Sequence, residues 1–264
     1  MDNDLKKKLS FLASKYEKSE FIIKDPSSFM HNYKDPVNQE LAAFIAANLA
    51  FGRRDQILKH VALILDAAGS DIKKWILDGE YKKLFTLGPA SFYRMYSHDS
   101  MVLFFDGLRS MLLSSPSIGE YIKDRWLEEG LKDSSLPKGH SGKPLLCFVI
   151  SGLFSPDCNL IPHTKESSCK KLNMFLRWMV RDNSPVDLGL WNWYSKEDLL
   201  LPLDTHVMSE ATNFGLIETT SSGKVQGATL KTCMRLTDCM REVFPDDPVK
   251  GDFALFGLGV DDER

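Results

Sequence analysis

Apolar residues recur three or four positions apart along most of this chain, and helix-start and helix-stop residues punctuate the pattern. Asp35-Pro36 pairs an N-cap with a proline at the first helical position. Leu41, Phe44, Ile45 and Leu49 follow on one stripe, and Gly52 closes the segment. Asp55 is expected to open the next helix, with Ile57, Leu58, Val61 and Leu65 inside and Gly69 after it. Asp71 starts a third around Trp75 and Ile76. The same spacing predicts helices near 99–114, 117–129, 143–154, 168–182, 205–214, 225–243 and 248–258. No alternation of apolar and polar residues is long enough for a sheet. Loops are expected at 131–142, 155–167 and 182–203, and no repeat or low-complexity tract interrupts the chain. The pattern therefore predicts an all-α fold of about ten helices.

Composition narrows the class. A chain of 264 residues buries a full core and makes one large domain or two lobes. Its five cysteines (Cys147, Cys158, Cys169, Cys233, Cys239) are odd in number and form no C-x-x-C pair. That fits reduced thiols in a cytoplasmic protein better than a disulfide frame or a zinc site. The start, Met1-Asp2-Asn3-Asp4, is no signal peptide, and the run Leu145 to Phe154 is too short to span a bilayer, so no membrane is expected. His31, His60, His98, His140 and His163 show no ligand spacing, so neither a metal nor another cofactor is expected. The net charge of −3 counts against nucleic-acid binding unless the basic groups gather on one face. The candidates for such a face are Arg53, Arg54, Lys165, Lys170 and Lys171, with Arg177 behind them; Lys6-Lys7-Lys8 reads as a solvated helix face.

Two segments carry candidate chemistry. In Pro202-Leu203-Asp204-Thr205-His206-Val207 a loop stops at a helix start with a carboxylate at the junction. Asp204 is placed to cap the helix through the amide of His206 or Val207, and Leu203 and Met208 fall at the two positions of a hydrophobic staple. Amide donors and the positive helix end keep such a carboxylate ionised. Alone, that is a structural cap. The second segment, Cys169 to Arg181, is an amphipathic helix with Leu172, Phe175, Leu176 and Met179 on its apolar stripe. Ser167 and Ser168 are expected caps, which puts Lys170 in the first turn, where the helix end disfavours a cation. A neutral amine is what a nucleophilic lysine needs. Lys170, Lys171, Arg177 and Arg181 are all read as available to an anion, although first-turn lysines are usually just solvated.

Together, a lysine followed three residues later by asparagine and a downstream Asp-Thr-His-Val at a helix start resemble the helix-hairpin-helix DNA glycosylase superfamily, the endonuclease III and 8-oxoguanine glycosylase type. Asp252 to Gly259 is similar to the late helix of those enzymes. A closer resemblance is to a bacterial family within that superfamily whose function is not assigned. It rests on Lys171 to Arg181, on Pro185-Val186-Asp187-Leu188-Gly189-Leu190-Trp191, on Pro202 to Val207, and on the Asp246-Asp247-Pro248-Val249-Lys250 start of the last helix. It is dense from about 160 to 259, with a looser match at Leu41 to Arg53.

The resemblance implies one two-lobed helical domain over residues 1–264 that acts on damaged duplex DNA. Such enzymes flip a base out of the helix and cut its bond to the sugar. It implies that Asp204 stabilises positive charge on the sugar and that Lys170 attacks the sugar carbon; Lys171, adjacent to it, stays open as the alternative nucleophile. The long interval between the two resembles the archaeal 8-oxoguanine glycosylases, which makes an 8-oxoguanine-like lesion a candidate substrate. Arg53, Arg54, Lys165 and Lys171 are candidate DNA contacts, His206 a hydrogen-bonding neighbour of the site, and Trp193 a candidate stacking partner beside Trp191 and Tyr194. Aromatics there are more often core or lid packing. The chain also departs from the pattern. No glycine follows Ile161-Pro162 in the hairpin, Ser209 and Asn213 stand where relatives carry arginines, and no four-cysteine loop follows Gly259. Two alternatives stay open: a non-catalytic nucleic-acid-binding protein on the same scaffold, and a hydrolase of free nucleosides or another small glycoside.

Overall fold

The computed structural model describes residues 1–132, 135–220 and 223–261, and its fold is all-α apart from one small hairpin. Residues 133–134 of the expected 131–142 loop lie outside the described residues. Helix α1 (Asn3–Tyr16) starts where Asp2 accepts the Leu5 amide. In α2 (Pro36–Leu49) Asp35 accepts the Asn38 amide at 2.9 Å, with Pro36 in the first turn as the sequence predicts. Helix α3 (Arg54–Ala68) stops at Gly69, and Asp71 caps α4 (Ile72–Leu77). Then come α5 (Tyr81–Leu84), strands β1 (Ser91–Tyr93) and β2 (Tyr96–Ser97), and helices α6 (His98–Ser114), α7 (Ile118–Leu131) and α8 (Leu146–Ser151). The last four are α9 (Lys170–Val180), α10 (Thr205–Asn213), α11 (Leu230–Arg241) and α12 (Gly251–Asp261). No helix among the described residues is long and apolar enough to cross a membrane.

Two local expectations are corrected. Asp55 is not the cap of α3: Arg53 occupies that position, and Asp55 sits inside the first turn, held by the Arg53 guanidinium through two bonds of 3.1 Å. The hairpin was not expected, because its strands are too short to show an alternation. Its two-residue turn is Arg94-Met95, with Arg94 at φ 54°, where such turns usually announce themselves with Asn-Gly.

The chain divides into two compact units. One comprises Met1–Phe21, Lys138–Leu145 and Thr164–Arg264; the other comprises Ile22–Pro137 and Leu146–His163. In the second unit α2 is apolar on every side and buried from Leu41 to Leu49, as a helix at the centre of a core must be. Phe44 stacks on Phe104 and Phe154 with ring centroids 5.6 and 5.7 Å away. In the first unit α12 has the same central place, with Phe253, Ala254 and Leu255 wholly buried, and α1 and α10 both pack on it.

Candidate functional site

The site lies in the first unit, where α9 and α10 begin. Asp204 adopts an extended backbone, and its Oδ1 accepts the Val207 amide at 2.9 Å. That is the cap the sequence predicts, and Leu203 and Met208 on either side are buried. The other carboxylate oxygen, Oδ2, faces the Lys170 Nζ at 3.8 Å. This is an ion pair longer than a hydrogen bond, with the Asp204 side chain 12% exposed and the Lys170 side chain 34% exposed. An amine and a carboxylate are thus presented together, each at the first turn of its own helix and partly open to solvent.

The start of α9 differs from expectation. Neither Ser167 nor Ser168 is its cap. Cys169 holds that position in the left-handed region, at φ 47°, and makes no side-chain cap bond. Ser167 acts one step earlier, its hydroxyl accepting the Cys169 amide at 3.1 Å. Asn173, three residues after Lys170, explains the conformation: its side-chain amide donates to the Ser168 carbonyl at 2.8 Å and its own amide donates to the Cys169 carbonyl at 2.8 Å. The lysine-to-asparagine spacing therefore clamps the turn that presents Lys170. Strain of about 1–3 kcal/mol is typical of a non-glycine residue held this way.

Behind the pair lies a buried ionic cluster. Arg177 and Arg181 stand one helical turn apart on the same face of α9. Arg177 donates through Nε to Asp187 at 3.2 Å and through Nη1 to Asp252. Arg181 donates to Asp187, to both oxygens of Asp247 at 3.0 Å, and to Glu17 at 2.7 Å. The two guanidinium groups lie 4.5 and 5.2 Å from the Phe253 ring. Both are 3% exposed or less, so the expectation that Arg177 and Arg181 would meet an anion from solution is corrected. Their face of α9 turns inward, and carboxylates of this chain occupy them.

The turn from Pro185 to Trp191 delivers Asp187. Leu188 and Trp191 donate to the Trp178 and Met179 carbonyls at 2.8 and 2.7 Å, folding the turn back along the end of α9. Gly189 makes this possible. It sits at φ 63°, and a Cβ there would lie 2.8 Å from the Asp182 backbone.

Burial pushes the Asp252 carboxyl up to about 6 against the pull of Arg177, and the charge on Asp204 pushes the same way. Burial likewise raises Asp187 despite both arginines. Glu17 is lowered instead, because Arg181 and its hydrogen bond outweigh a desolvation that acts to raise it. Neither Asp187 nor Asp252 was singled out from the sequence, although each sits in a quoted motif. A single carboxylate at the start of an otherwise apolar, buried helix was the available signal, since such a group needs a partner.

The remaining candidates are placed as follows. Lys171 is half-buried next to Lys170, and Lys165 is exposed. His206 is half-buried, its ring edge-on to Phe256 with centroids 5.8 Å apart. Trp191 is buried against Phe175, and the half-exposed Trp193 stacks on Trp191 at 5.3 Å. Arg53 and Arg54 belong to the other unit, where Arg53 is paired with Asp55.

An all-α protein with a capping aspartate set against a first-turn lysine is the class these features define. The chain belongs to the family described as "Protein of unknown function (DUF2400)", whose model matches residues 25–261. No curated protein and no solved structure matches it.

Proposed function

We propose that the protein is a DNA glycosylase of the helix-hairpin-helix type with lyase activity, acting on a damaged base flipped from duplex DNA. The observation that carries this reading is the Lys170 Nζ at 3.8 Å from Asp204 Oδ2, at the junction of two helix starts. In this reading the Lys170 amine attacks the sugar C1′ as the bond from C1′ to the base breaks. One amine proton passes by way of Asp204 to the departing base; the C1′–O4′ bond then breaks, O4′ takes the remaining amine proton, and a Schiff base is left on Lys170. The Asp204 carboxylate also balances the positive charge that builds on the sugar, the term on which catalysis depends most in a partly dry site. Lys165 and Lys171 are the proposed phosphate contacts in this unit, and Trp193 the proposed stacking surface.

Borohydride trapping on a panel of damaged duplexes, including one with 8-oxoguanine and one with an abasic site, tests the reading. A covalent adduct is expected with the wild-type chain and none with Lys170→Gln. No adduct on any duplex would overturn the lyase step, and no base release would overturn the glycosylase.

One observation favours a second reading, a hydrolase of free nucleosides. The turn before α9 uses its amides internally: Ser167 donates to Thr164 at 3.2 Å, and Cys169 donates to the Ser167 hydroxyl. Those amides do not point at a phosphate, in keeping with the missing glycines. Hydrolysis of free nucleosides without base release from DNA would decide for it.

A further inference from the structure

The Lys170–Asp204 pair leaves one buried titratable group beside it without a role. Asp252 sits in the first turn of α12, 4% exposed, in a helix whose next three residues are wholly buried. Arg177 reaches it from α9, the helix that begins with Lys170. Asp204 reaches it electrostatically from the cap of α10. Helices α10 and α12 pack closely enough that a Cβ on Gly259 would lie 2.9 Å from the His206 Cβ.

The charge count around Asp252 is uneven. Arg177 is shared between Asp252 and Asp187, and Arg181 is shared among Asp187, Asp247 and Glu17. Lys250 lies 3.5 Å from Glu17, on the outer side of the cluster. Two buried guanidinium groups thus serve four carboxyl groups, with Asp204 adding a further negative charge near Asp252. His206 and Glu210 are the other titratable groups that α10 sets against α12, near Gly259, two turns from Asp252. Asp252 has one shared cation and two anionic neighbours, Asp204 and Asp187, and burial with these charges lifts its carboxyl to about 6.

We propose that Asp252 is a positioning residue for Asp204: by gaining or losing its proton to water, the carboxyl that Arg177 anchors in α12 sets the negative field that Asp204 presents to a cationic sugar at the Lys170 end of α9. The cationic sugar rests on the glycosylase reading; the coupling between the two carboxyls does not. Ionised, Asp252 adds a second negative charge behind Asp204. Protonated, it withdraws that charge.

Two measurements on the full chain test this. The first is carbon-13 NMR of the assigned Asp252 carboxyl, which needs no substrate. In the wild type it should titrate near pH 6, and in Asp204→Asn, which keeps the cap, at least roughly half a unit lower. An unchanged midpoint overturns the proposal. The second is the borohydride-trapping rate on an abasic-site duplex between about pH 5 and 8. The wild type should lose rate as pH falls through about 6, and Asp252→Asn should lack that limb while its rate above it drops several-fold. A variant slower at every pH with the limb intact would assign Asp252 a structural role and overturn the proposal. If Asp252→Asn does not fold, the Asp204→Asn titration decides alone. If the wild type forms no adduct, the lyase reading fails while the titration still decides the coupling.

Discussion

Asp204 divides its work between two oxygens, one held by the Val207 amide and the other facing Lys170. The two tasks are separable by substitution. Asparagine caps a helix about as well as aspartate, so Asp204→Asn should leave the denaturation midpoint almost unmoved while slowing base release by about 100-fold or more. Asp204→Ala should lose about 1 kcal/mol of stability in addition, read by urea unfolding. Equal activity in wild type and Asp204→Asn would remove the charge-stabilising role. Lys170 and Lys171 separate by geometry: neighbouring side chains on a helix point about 100° apart, so both cannot face one carboxylate equally. Trapping should be lost in Lys170→Gln with DNA binding nearly intact, and kept in Lys171→Gln, where the loss of a proposed phosphate contact weakens binding. The reverse pattern would make Lys171 the nucleophile.

At the scale of elements, α12 is the piece on which α1 and α10 both rest, and its small residues set how near they come. A Cβ on Gly257 would lie 2.4 Å from Tyr16 Cγ, and one on Gly259 would press on the His206 Cβ. Gly257→Ala should therefore destabilise by about 1–3 kcal/mol, since a ring packed on a helix cannot step aside as a flexible side chain would. Gly259→Ala should act on the site instead, displacing the start of α10 and lowering trapping more than stability. Comparing urea midpoints with trapping rates for the two variants checks this, and equal effects on both quantities would show that α10 is not positioned through Gly259. Much at this scale was legible in the sequence. The Asp35-Pro36 and Asp204 caps are local chemistry, and local chemistry survives folding. The start of α9 was misread because Asn173 acts backward on Ser168 and Cys169, a contact across a turn that capping preferences do not encode. The fate of Arg177 and Arg181 was hidden for a different reason. Their partners come from three separate stretches, Glu17, Asp187, and the Asp247–Asp252 segment, and only the folded chain brings them together.

At the scale of the molecule, the buried cluster makes stability depend on pH in a direction opposite to that of an ordinary ion pair. Asp252 is raised from 3.8 to about 6, chiefly by burial. Between those two values the folded chain holds a proton that the unfolded chain has lost. Stability from this group is therefore fully present below the unfolded value and falls as pH rises through about 6. A shift of this size corresponds to about 3 kcal/mol in all. Glu17 has the other sign: its value is lowered, so its contribution is present above 4.5 and is lost as pH falls through the lower folded value. The two trends overlap in the wild type, and substitution separates them. Asp252→Asn keeps the Glu17 contribution and that of Asp187, which burial also raises, and abolishes its own, because asparagine stands in for the protonated acid at every pH. The difference in stability between wild type and Asp252→Asn should therefore shift in favour of the variant by about 2–3 kcal/mol between pH 4 and pH 7.5, measured by urea unfolding at each pH. The direction follows from desolvation exceeding the attraction of a shared Arg177, the usual outcome when a buried carboxylate lacks a cation of its own. A difference that does not change with pH would mean that Arg177 holds Asp252 ionised throughout, and the carboxyl behind Asp204 would then be a fixed charge rather than one that titrates.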